Sequence, residues 1–291
     1  MLSLSANAKI NLFLEITGKR SDGYHTVETV MQEISLADGI SLRILPKSEG
    51  IKLKANISSI PLDERNIAYK AASKYIALSG VDCGVEITLN KEIPHEAGMG
   101  GGSTDGAAVL MGLNELCSGA IDKIQMHNLA ASLGADVPFF LYGSTALMSG
   151  IGTDYIRSVR SPDLHLVISK PMNGISTPAA YRYLDEVHND FTEHFKADVS
   201  PLLEAISDNS ADKISTKIYN MFESASDVLC PDTKELRSFL SDNSYGAMLC
   251  GSGSSVFAIT DGAVHSARLI DKLSEKFPNY YATYATTVKK F

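Results

Sequence analysis

The stretch IPHEAGMGGGSTDGAAVL, residues 93–110, constrains the fold of this chain more than any other segment. It holds four glycines between positions 98 and 102, and Ser103 and Thr104 follow directly. The alternating segment 85–89 (VEITL) predicts a strand before it, and the alanine- and leucine-rich segment 104–116 predicts a helix after it. Glycines let a backbone approach an anion closely, and a helix N-terminus adds a partial positive charge. The segment therefore predicts a phosphate-binding loop, with Ser103 and Thr104 as candidate caps of the helix.

This loop lacks the lysine of the common P-loop, because no G-x-x-x-x-G-K-[S/T] sequence occurs anywhere in the chain. The charge of a bound phosphate must then be met by backbone N–H groups, a metal ion and a lysine from another segment. A close contact between helix and strand would also explain the glycines without any ligand. Both interpretations stay open on the loop alone.

The bulk properties are those of a folded protein with small ligands. A length of 291 residues predicts two domains, and 44% hydrophobic residues allow sizeable cores. The net charge of −8, from 26 basic and 34 acidic residues, argues against nucleic acid or an anionic membrane as the main partner. Residues 1–16 lack the apolar core of a signal peptide, and no apolar run is long enough to span a bilayer.

Cysteine usage predicts a reducing compartment, the cytoplasm. The four cysteines show neither C-x-x-C pairing nor zinc-like spacing with histidines; they are Cys83, Cys117, Cys230 and Cys250. The histidines share no ligand spacing either, and we interpret them as surface or core residues: His95, His127, His165, His188, His194 and His265.

The apolar patterning predicts strands and helices that do not alternate strictly, which indicates an α+β fold in both halves. The predicted strands are 9–15, 26–36, 40–45, 51–55, 85–89, 145–148, 165–169 and 280–288, with a hairpin over 246–260. The predicted helices are 66–78, 104–116, 121–133, 178–186, 200–205, 213–223, 233–241 and 264–277. An Asp38–Gly39 turn is expected between the second and third strands, and Asn66 and Gly80 are expected to bound the first helix.

A change of composition near residues 150–163, where Gly, Ser, Thr and Pro accumulate, predicts a domain boundary. We expect an N-terminal domain over residues 1–155 and a C-terminal domain over residues 156–291.

Four segments resemble one family, the GHMP kinases, which are ATP-dependent kinases of small molecules. The first is Pro94-x-x-x-Gly98-Met99-Gly100-Gly101-Gly102-Ser103-Thr104. The others are AKINLFLEITGKRSDGYHTVETVMQEISLAD (8–38), LGADVPFFL (133–141) and CGSGSSVFAI (250–259). The resemblance implies an N-terminal domain like domain 2 of ribosomal protein S5 and a ferredoxin-like C-terminal domain. It is closest to members of non-mevalonate isoprenoid biosynthesis that phosphorylate the 2-hydroxyl of a sugar alcohol linked to cytidine diphosphate.

The resemblance also implies the catalytic residues. Asp136 would be the base that accepts the hydroxyl proton, although an aspartate before an apolar segment is commonly a helix cap. Lys9 would lie beside it, although a lone lysine in an apolar strand usually points to solvent. Asn11 lies on the same face of the strand as Lys9 and would contact substrate or orient Asp136; its plain alternative is a solvated edge amide.

Further positions match the two ligand sites. The residues implied for ATP are Asn66, Pro94, His95, Glu96, Ala97, Gly98, Met99, Gly100, Gly101, Gly102, Ser103 and Thr104. The residues implied for substrate, besides Asn11, are Tyr24, His25, Thr177, Tyr181, Gly251 and Ser252. Tyr24 and Tyr181 would stack on the cytosine and His25 would hydrogen-bond to it. Ordinary packing, an N-cap at Asn66 and a hairpin turn at Gly251 are the alternatives.

ATP is the expected co-substrate, with Mg²⁺ as its counter-ion. Glu96 departs from the family, which usually has a small residue there. It would either point outward or lie near the magnesium ion. Two other functions stay open: a GHMP kinase for another alcohol such as homoserine or mevalonate, and a nucleotide- or RNA-binding relative without catalysis. The sequence leaves the oligomeric state undetermined.

Overall fold

A computed structural model describes residues 1–188, 191 and 197–289. His194, one of the histidines interpreted above, lies outside these residues. The strands are β1 (Leu2–Lys19), β2 (His25–Leu45), β3 (Ile51–Ala55), β4 (Gly84–Asn90), β5 (Thr145–Ser149), β6 (Asp154–Ser158), β7 (His165–Lys170), β8 (Tyr219–Asn220), β9 (Gly246–Leu249), β10 (Val256–Thr260) and β11 (Tyr281–Thr286). The helices are α1 (Ile67–Ser79), α2 (Gly101–Leu116), α3 (Lys123–Ala131), α4 (Val137–Tyr142), α5 (Thr177–Val187), α6 (Ser200–Ser207), α7 (Ala211–Ser215), α8 (Glu223–Leu229), α9 (Pro231–Asp242) and α10 (Ala263–Lys276). The predicted α+β class is confirmed.

The described chain forms two compact units, and each is built from separate segments. The first unit combines residues 1–8, 37–93 and 100–143; the second combines residues 9–36 and 94–99 with the described residues from 144 onward. The long strands β1 and β2 therefore contribute residues to both units. The domain boundary expected at residue 155 stays a prediction.

In the first unit, β4 pairs antiparallel with the end of β2 and parallel with β3. Helix α1 begins and ends as its sequence predicts: the Asn66 side chain accepts a hydrogen bond from the N–H of Ala68, and Gly80 ends the helix in the left-handed region. The fully buried Tyr75 of α1 donates a hydrogen bond of 3.0 Å to Asn114 of α2. This bond satisfies the only polar group of a large core side chain.

The Asp38–Gly39 turn is wrong, since β2 runs through both residues without a break. Gly39 lies opposite Asn90 in the ladder with β4. The Asp38 carboxylate is buried and accepts hydrogen bonds from the N–H groups of Glu92 and Ile93, at 2.7 and 2.9 Å. Asp38 belongs to a residue type that favours turns, but here it is a buried hydrogen-bond acceptor. Local propensity does not reveal this role.

The second unit contains a four-stranded antiparallel sheet with the order β11-β7-β10-β9. Numbered along the chain, this order is 4-1-3-2 with helices between the first and second strands and between the third and fourth. It is the topology of a ferredoxin-like domain, as expected. The predicted hairpin over 246–260 is confirmed as β9 and β10. In the same unit, β2 pairs with β5, β5 with β6, and β8 with β1.

The helix predicted over 213–223 is wrong. The chain there forms α7, the short strand β8 and the first residue of α8. Tyr219 and Asn220 pair in parallel with Phe13 and Leu14 of β1, so a tertiary ladder replaces helical hydrogen bonds. Strand β6 was also missed, because it lies in the segment interpreted as a boundary. Among the described residues, no helix is both long and apolar enough to cross a membrane.

Candidate active site

The glycine loop leads into α2 as predicted, but its cap differs from the prediction. Helix α2 already begins at Gly101, and Gly100 occupies the N-cap position in the left-handed region without a side-chain cap bond. Ser103 and Thr104 therefore lie inside the first turn and do not cap the helix. Only glycine adopts this left-handed N-cap conformation at little cost. Because Gly100 has no side chain, it offers no side-chain acceptor to the first N–H groups of α2.

A second glycine turn, formed by residues 250–255 between β9 and β10, packs against the start of this loop within the second unit. A Cβ at Gly98 would lie 1.9 Å from the carbonyl oxygen of Cys250, so only glycine fits there. The N–H groups of Ser254 and Ser255 donate to the carbonyl oxygens of Glu96 and Ala97, both at 3.3 Å. The turn between β9 and β10 thus fixes the backbone that precedes the glycines.

Lys9, Asn11 and Thr29 form a buried row of hydrogen bonds, contrary to the plain alternatives of a solvated lysine and a solvated amide. They are 4%, 1% and 0% exposed. The Nζ of Lys9 donates to Oδ1 of Asn11 at 2.8 Å, Nδ2 of Asn11 donates to Thr29 at 2.8 Å, and Thr29 donates to the carbonyl of Phe13 at 2.6 Å. Each amide atom of Asn11 has a partner that fixes the amide orientation. A buried, oriented ammonium group is suited to stabilising a developing negative charge.

The second glycine turn lies close to this lysine. A Cβ at Gly251 would approach the Nζ of Lys9 to 3.1 Å. Asn220 holds the turn, because its Nδ2 donates to the carbonyls of Leu249 and Gly251 at 2.9 and 2.8 Å. Burial raises the pKa of the neighbouring Cys250 thiol to about 12, an effect that Lys9 partly opposes. Cys250 is therefore a neutral packing residue here. No pattern in the sequence signalled Asn220.

Asp136 belongs to the first unit and precedes α4. It occupies the N-cap position, yet its side chain makes no capping hydrogen bond. Val137, Pro138, Phe139 and Phe140 behind it are all buried. The structure thus removes capping as the explanation for this aspartate, while its pairing with Lys9 stays a prediction from the resemblance.

The residues implied for cytidine, including Tyr24, all belong to the second unit. The Tyr24 side chain is 62% exposed at the turn before β2. His25 is buried and stacks on Tyr181, with ring centroids 4.7 Å apart. The hydroxyl groups of Thr177 and Ser252 are 2.7 Å apart, which links α5 to the second glycine turn.

The Glu96 side chain has a defined place in the second unit, while its role beside ATP and magnesium stays a prediction. It is exposed, has a φ of 50°, and its carboxylate covers Gly174, where a Cβ would lie 2.5 Å from Oε2. A pocket of about 380 Å³ in the second unit is lined by Glu96, His95, Lys170 and Tyr281, among others. Burial lowers the pKa of Lys170, and Glu96 partly opposes that shift. Glu96 and Lys170 therefore line the same pocket, where their opposite charges partly offset each other.

A buried charge cluster in the first unit was missed in the sequence. Lys91 donates to Asp105 of α2 at 2.6 Å and also to Asp38 of β2. All three side chains are less than 10% exposed. Oδ1 of Asp105 has no hydrogen-bond partner, and burial raises the pKa of this carboxyl to about 7. The cluster links the segment that follows β4 to the N-terminal part of α2, on both sides of the glycine loop.

The class of protein follows from two family models. Residues 66–144 match the GHMP kinases N-terminal domain, and residues 196–279 match the GHMP kinases C-terminal domain. Together with a near-full-length relative described next, these matches show that the chain belongs to the GHMP kinase family. The expected fold is thereby confirmed.

Individual relatives show which members of the family this chain resembles. The 4-diphosphocytidyl-2-C-methyl-D-erythritol kinase of Clostridium kluyveri is 37% identical over 282 residues, which cover 96% of this chain and 98% of the relative. A crystal structure of 4-(cytidine 5'-diphospho)-2C-methyl-D-erythritol kinase matches with a TM-score of 0.81 and 31% identity over 99% of this chain and 100% of that chain. The homoserine kinase of Cytophaga hutchinsonii matches with a TM-score of 0.71 at 19% identity, over 99% and 96% of the two chains. The last match shows the fold alone.

Proposed function

We propose that this protein phosphorylates the 2-hydroxyl group of 4-diphosphocytidyl-2-C-methyl-D-erythritol, with ATP as the phosphoryl donor, in non-mevalonate isoprenoid biosynthesis. One observation carries the proposal: a kinase named for this substrate is 37% identical over 96% of the chain, whereas the homoserine kinase is 19% identical. The difference favours the cytidine substrate over the other alcohols considered above.

Transfer of a phosphoryl group to an alcohol requires a base, charge stabilisation and a fixed donor. Asp136 accepts the proton of the 2-hydroxyl group, and its lack of a capping bond is consistent with that role. Lys9 stabilises the developing alkoxide, held in place by its hydrogen bond to Asn11. Residues 94–104 bind the phosphates of ATP through N–H groups at the start of α2.

Mg²⁺ is proposed as the counter-ion of ATP. Within the described part of the chain, no three His, Cys, Asp or Glu side chains are grouped as a metal site. A magnesium ion that arrives with the nucleotide needs few ligands from the protein, because Mg²⁺ commonly takes most of its ligands from substrate phosphates and water. The hydroxyl of Ser103 or Thr104, in the first turn of α2, would be the ligand from the protein. Bound Mg²⁺ would neutralise charge on the transferring group.

The cytidine is proposed to lie beside α5, where Thr177 and Tyr181 are located, with Tyr24 and His25 contributed by the start of β2. Tyr24 offers an exposed aromatic face for a flat base. A cytoplasmic location and the absence of a nucleic-acid partner are proposed with this function, supported by four free cysteines and the net charge of −8.

A coupled assay of ADP release tests the function. Purified protein with Mg²⁺-ATP should release ADP when 4-diphosphocytidyl-2-C-methyl-D-erythritol is added, and phosphorus NMR should show a new phosphomonoester on the product. Homoserine and mevalonate serve as control acceptors and should give rates at background. Turnover of either control without turnover of the cytidine substrate would overturn the proposal.

A further inference from the structure

Helix α5 presents three functional side chains along one face. Thr177, Tyr181 and Asp185 follow at intervals of four residues, which places them one above another. Thr177 contacts Ser252, Tyr181 stacks on His25, and Asp185 Oδ1 lies 2.7 Å from Nε2 of the same histidine. The first two are already assigned to the substrate. The third has had no role so far.

Asp185 is an ionised acceptor in this position. Burial alone would raise its pKa, but hydrogen bonds from Lys19 and His25 outweigh burial and lower the pKa of the carboxyl. The Nζ of Lys19 lies 2.8 Å from Oδ2, so both oxygens are engaged. A carboxylate can only accept hydrogen bonds, and therefore Nε2 of His25 must carry the hydrogen.

The imidazole cannot readily turn to exchange its two nitrogens. The Tyr181 ring stacks on it with an interplanar angle of 17°, and the Phe191 ring meets it at 83° with centroids 5.2 Å apart. The His25 side chain is only 5% exposed. In the neutral ring, Nδ1 is then an acceptor, and none of the described residues hydrogen-bonds to it. The second nitrogen is thus left with a defined polarity for a ligand.

We propose that Asp185 is a positioning residue that sets the base selectivity of the enzyme by holding His25 with Nδ1 as an acceptor. The inference rests on the proposed function, which places His25 at the cytosine. Cytosine offers an amino group at C4 and can donate to Nδ1, whereas uracil has a carbonyl oxygen there and cannot. Two acceptors facing each other in a buried site leave both unsatisfied, so the uracil ligand is rejected.

Calorimetry with CDP and UDP tests the selectivity without catalysis. The titrations use the full chain at pH 8, saturated with a non-hydrolysable ATP analogue so that the donor site is occupied. The wild type should bind CDP at least about tenfold more tightly than UDP, a difference of about 1.4 kcal/mol. Asp185→Asn should reduce the ratio below about threefold, because an amide can also donate and no longer enforces one tautomer.

Two other variants serve as controls for the substitution. Asp185→Glu retains a group that only accepts and should recover part of the selectivity. Asp208→Asn makes the same chemical change in an exposed ion pair with Lys213 and should leave the CDP/UDP ratio at the wild-type value. An unchanged ratio in Asp185→Asn, in a wild type that does discriminate, would overturn the role of Asp185 alone.

The tautomer provides a second measurement that needs no ligand. Nitrogen-15 NMR of the wild-type histidines at pH 8 should show His25 with hydrogen on Nε2 only, and Asp185→Asn should shift it toward a mixture. Hydrogen on Nδ1 in the wild type would overturn the inference even if a variant failed to fold. A wild type that binds neither diphosphate would instead count against the proposed function and, with it, against base selection by Asp185.

Discussion

At the scale of single residues, Asp105 shows how a buried charge can make stability depend on pH. Burial raises its pKa to about 7, with Lys91 lowering it and Asp38 raising it. In the unfolded chain the pKa returns to about 4. Between these values the unfolded state has lost a proton that the native state keeps. The native state is therefore progressively disfavoured as pH rises from about 4 to 7.

Replacing Asp105 with asparagine should remove this dependence. We expect the free energy of unfolding of the wild type, relative to Asp105→Asn, to fall by about 1–3 kcal/mol between pH 4.5 and 7.5. Urea unfolding at a series of pH values measures it. Asp82→Asn, an exposed partner of Lys47, should follow the wild type. Parallel curves for wild type and Asp105→Asn would contradict a raised pKa.

Asp136 gives the sharpest prediction for the chemistry. Asparagine has the same shape but cannot accept a proton, so Asp136→Asn should lower kcat at least about a hundredfold while the KM for ATP stays within about threefold. Steady-state kinetics and calorimetry with an ATP analogue measure the two effects. Asp122→Asn is the matched control, because Asp122 caps α3 through a real side-chain bond. Unchanged kcat in Asp136→Asn would show that Asp136 is not the base.

Some residues could be recognised from the sequence because their role is local. Asn66 has the composition and place of a helix cap and acts as one, with its Oδ1 2.9 Å from the N–H of Ala68. Asp38, Asp105 and Asp185 could not be recognised, since each depends on partners distant in the sequence. Asp38, for example, accepts from residues 92 and 93, more than 50 positions away.

At the scale of elements, periodicity predicted most helices and strands but failed where a tertiary contact decides the local structure. Helix α2 begins three residues before the predicted start, at Gly101, although glycine has low helix propensity. Its N-terminal part is instead fixed by the left-handed conformation of Gly100 and by the ion pair between Lys91 and Asp105. Strand β8 likewise forms because β1 offers it a ladder.

The contact between the two glycine turns yields a prediction at this scale. Gly98 combines a φ of +71° with a Cβ position 1.9 Å from a backbone oxygen, so Gly98→Ala must displace the second turn. We expect a loss of about 3 kcal/mol or more in the free energy of unfolding, together with loss of activity. Urea unfolding and the ADP assay measure these losses.

A matched glycine separates the two causes. Gly119 has a φ of +75°, yet nothing lies within 4 Å of its Cβ position. Gly119→Ala therefore carries the left-handed strain alone, about 1–2 kcal/mol, and should leave activity intact. Equal losses in the two variants would show that backbone strain, not the contact with Cys250, requires glycine at position 98.

At the scale of the whole molecule, physical patterning alone reached only the α+β class. The order of strands in the ferredoxin-like sheet depends on pairings between residues such as Val256 and Ser169, which periodicity does not specify. Four sequence motifs supplied the family, and the family supplied the activity. The fold by itself does not specify the substrate, since the homoserine kinase shares it at 19% identity.

The stabilisation of the whole chain by a bound ligand tests which compound is the substrate, without any measurement of turnover. A ligand that binds only the native state at 100 times its Kd raises the free energy of unfolding by about 2.7 kcal/mol. We expect 4-diphosphocytidyl-2-C-methyl-D-erythritol, without ATP, to produce such a rise and to move the urea midpoint upward. Homoserine and mevalonate at the same concentration should shift it by less than about 0.5 kcal/mol, because neither carries a base for Tyr24, His25 and Tyr181. Stabilisation by one of these two alcohols, with none by the cytidine compound, would instead identify the chain as a kinase of that alcohol.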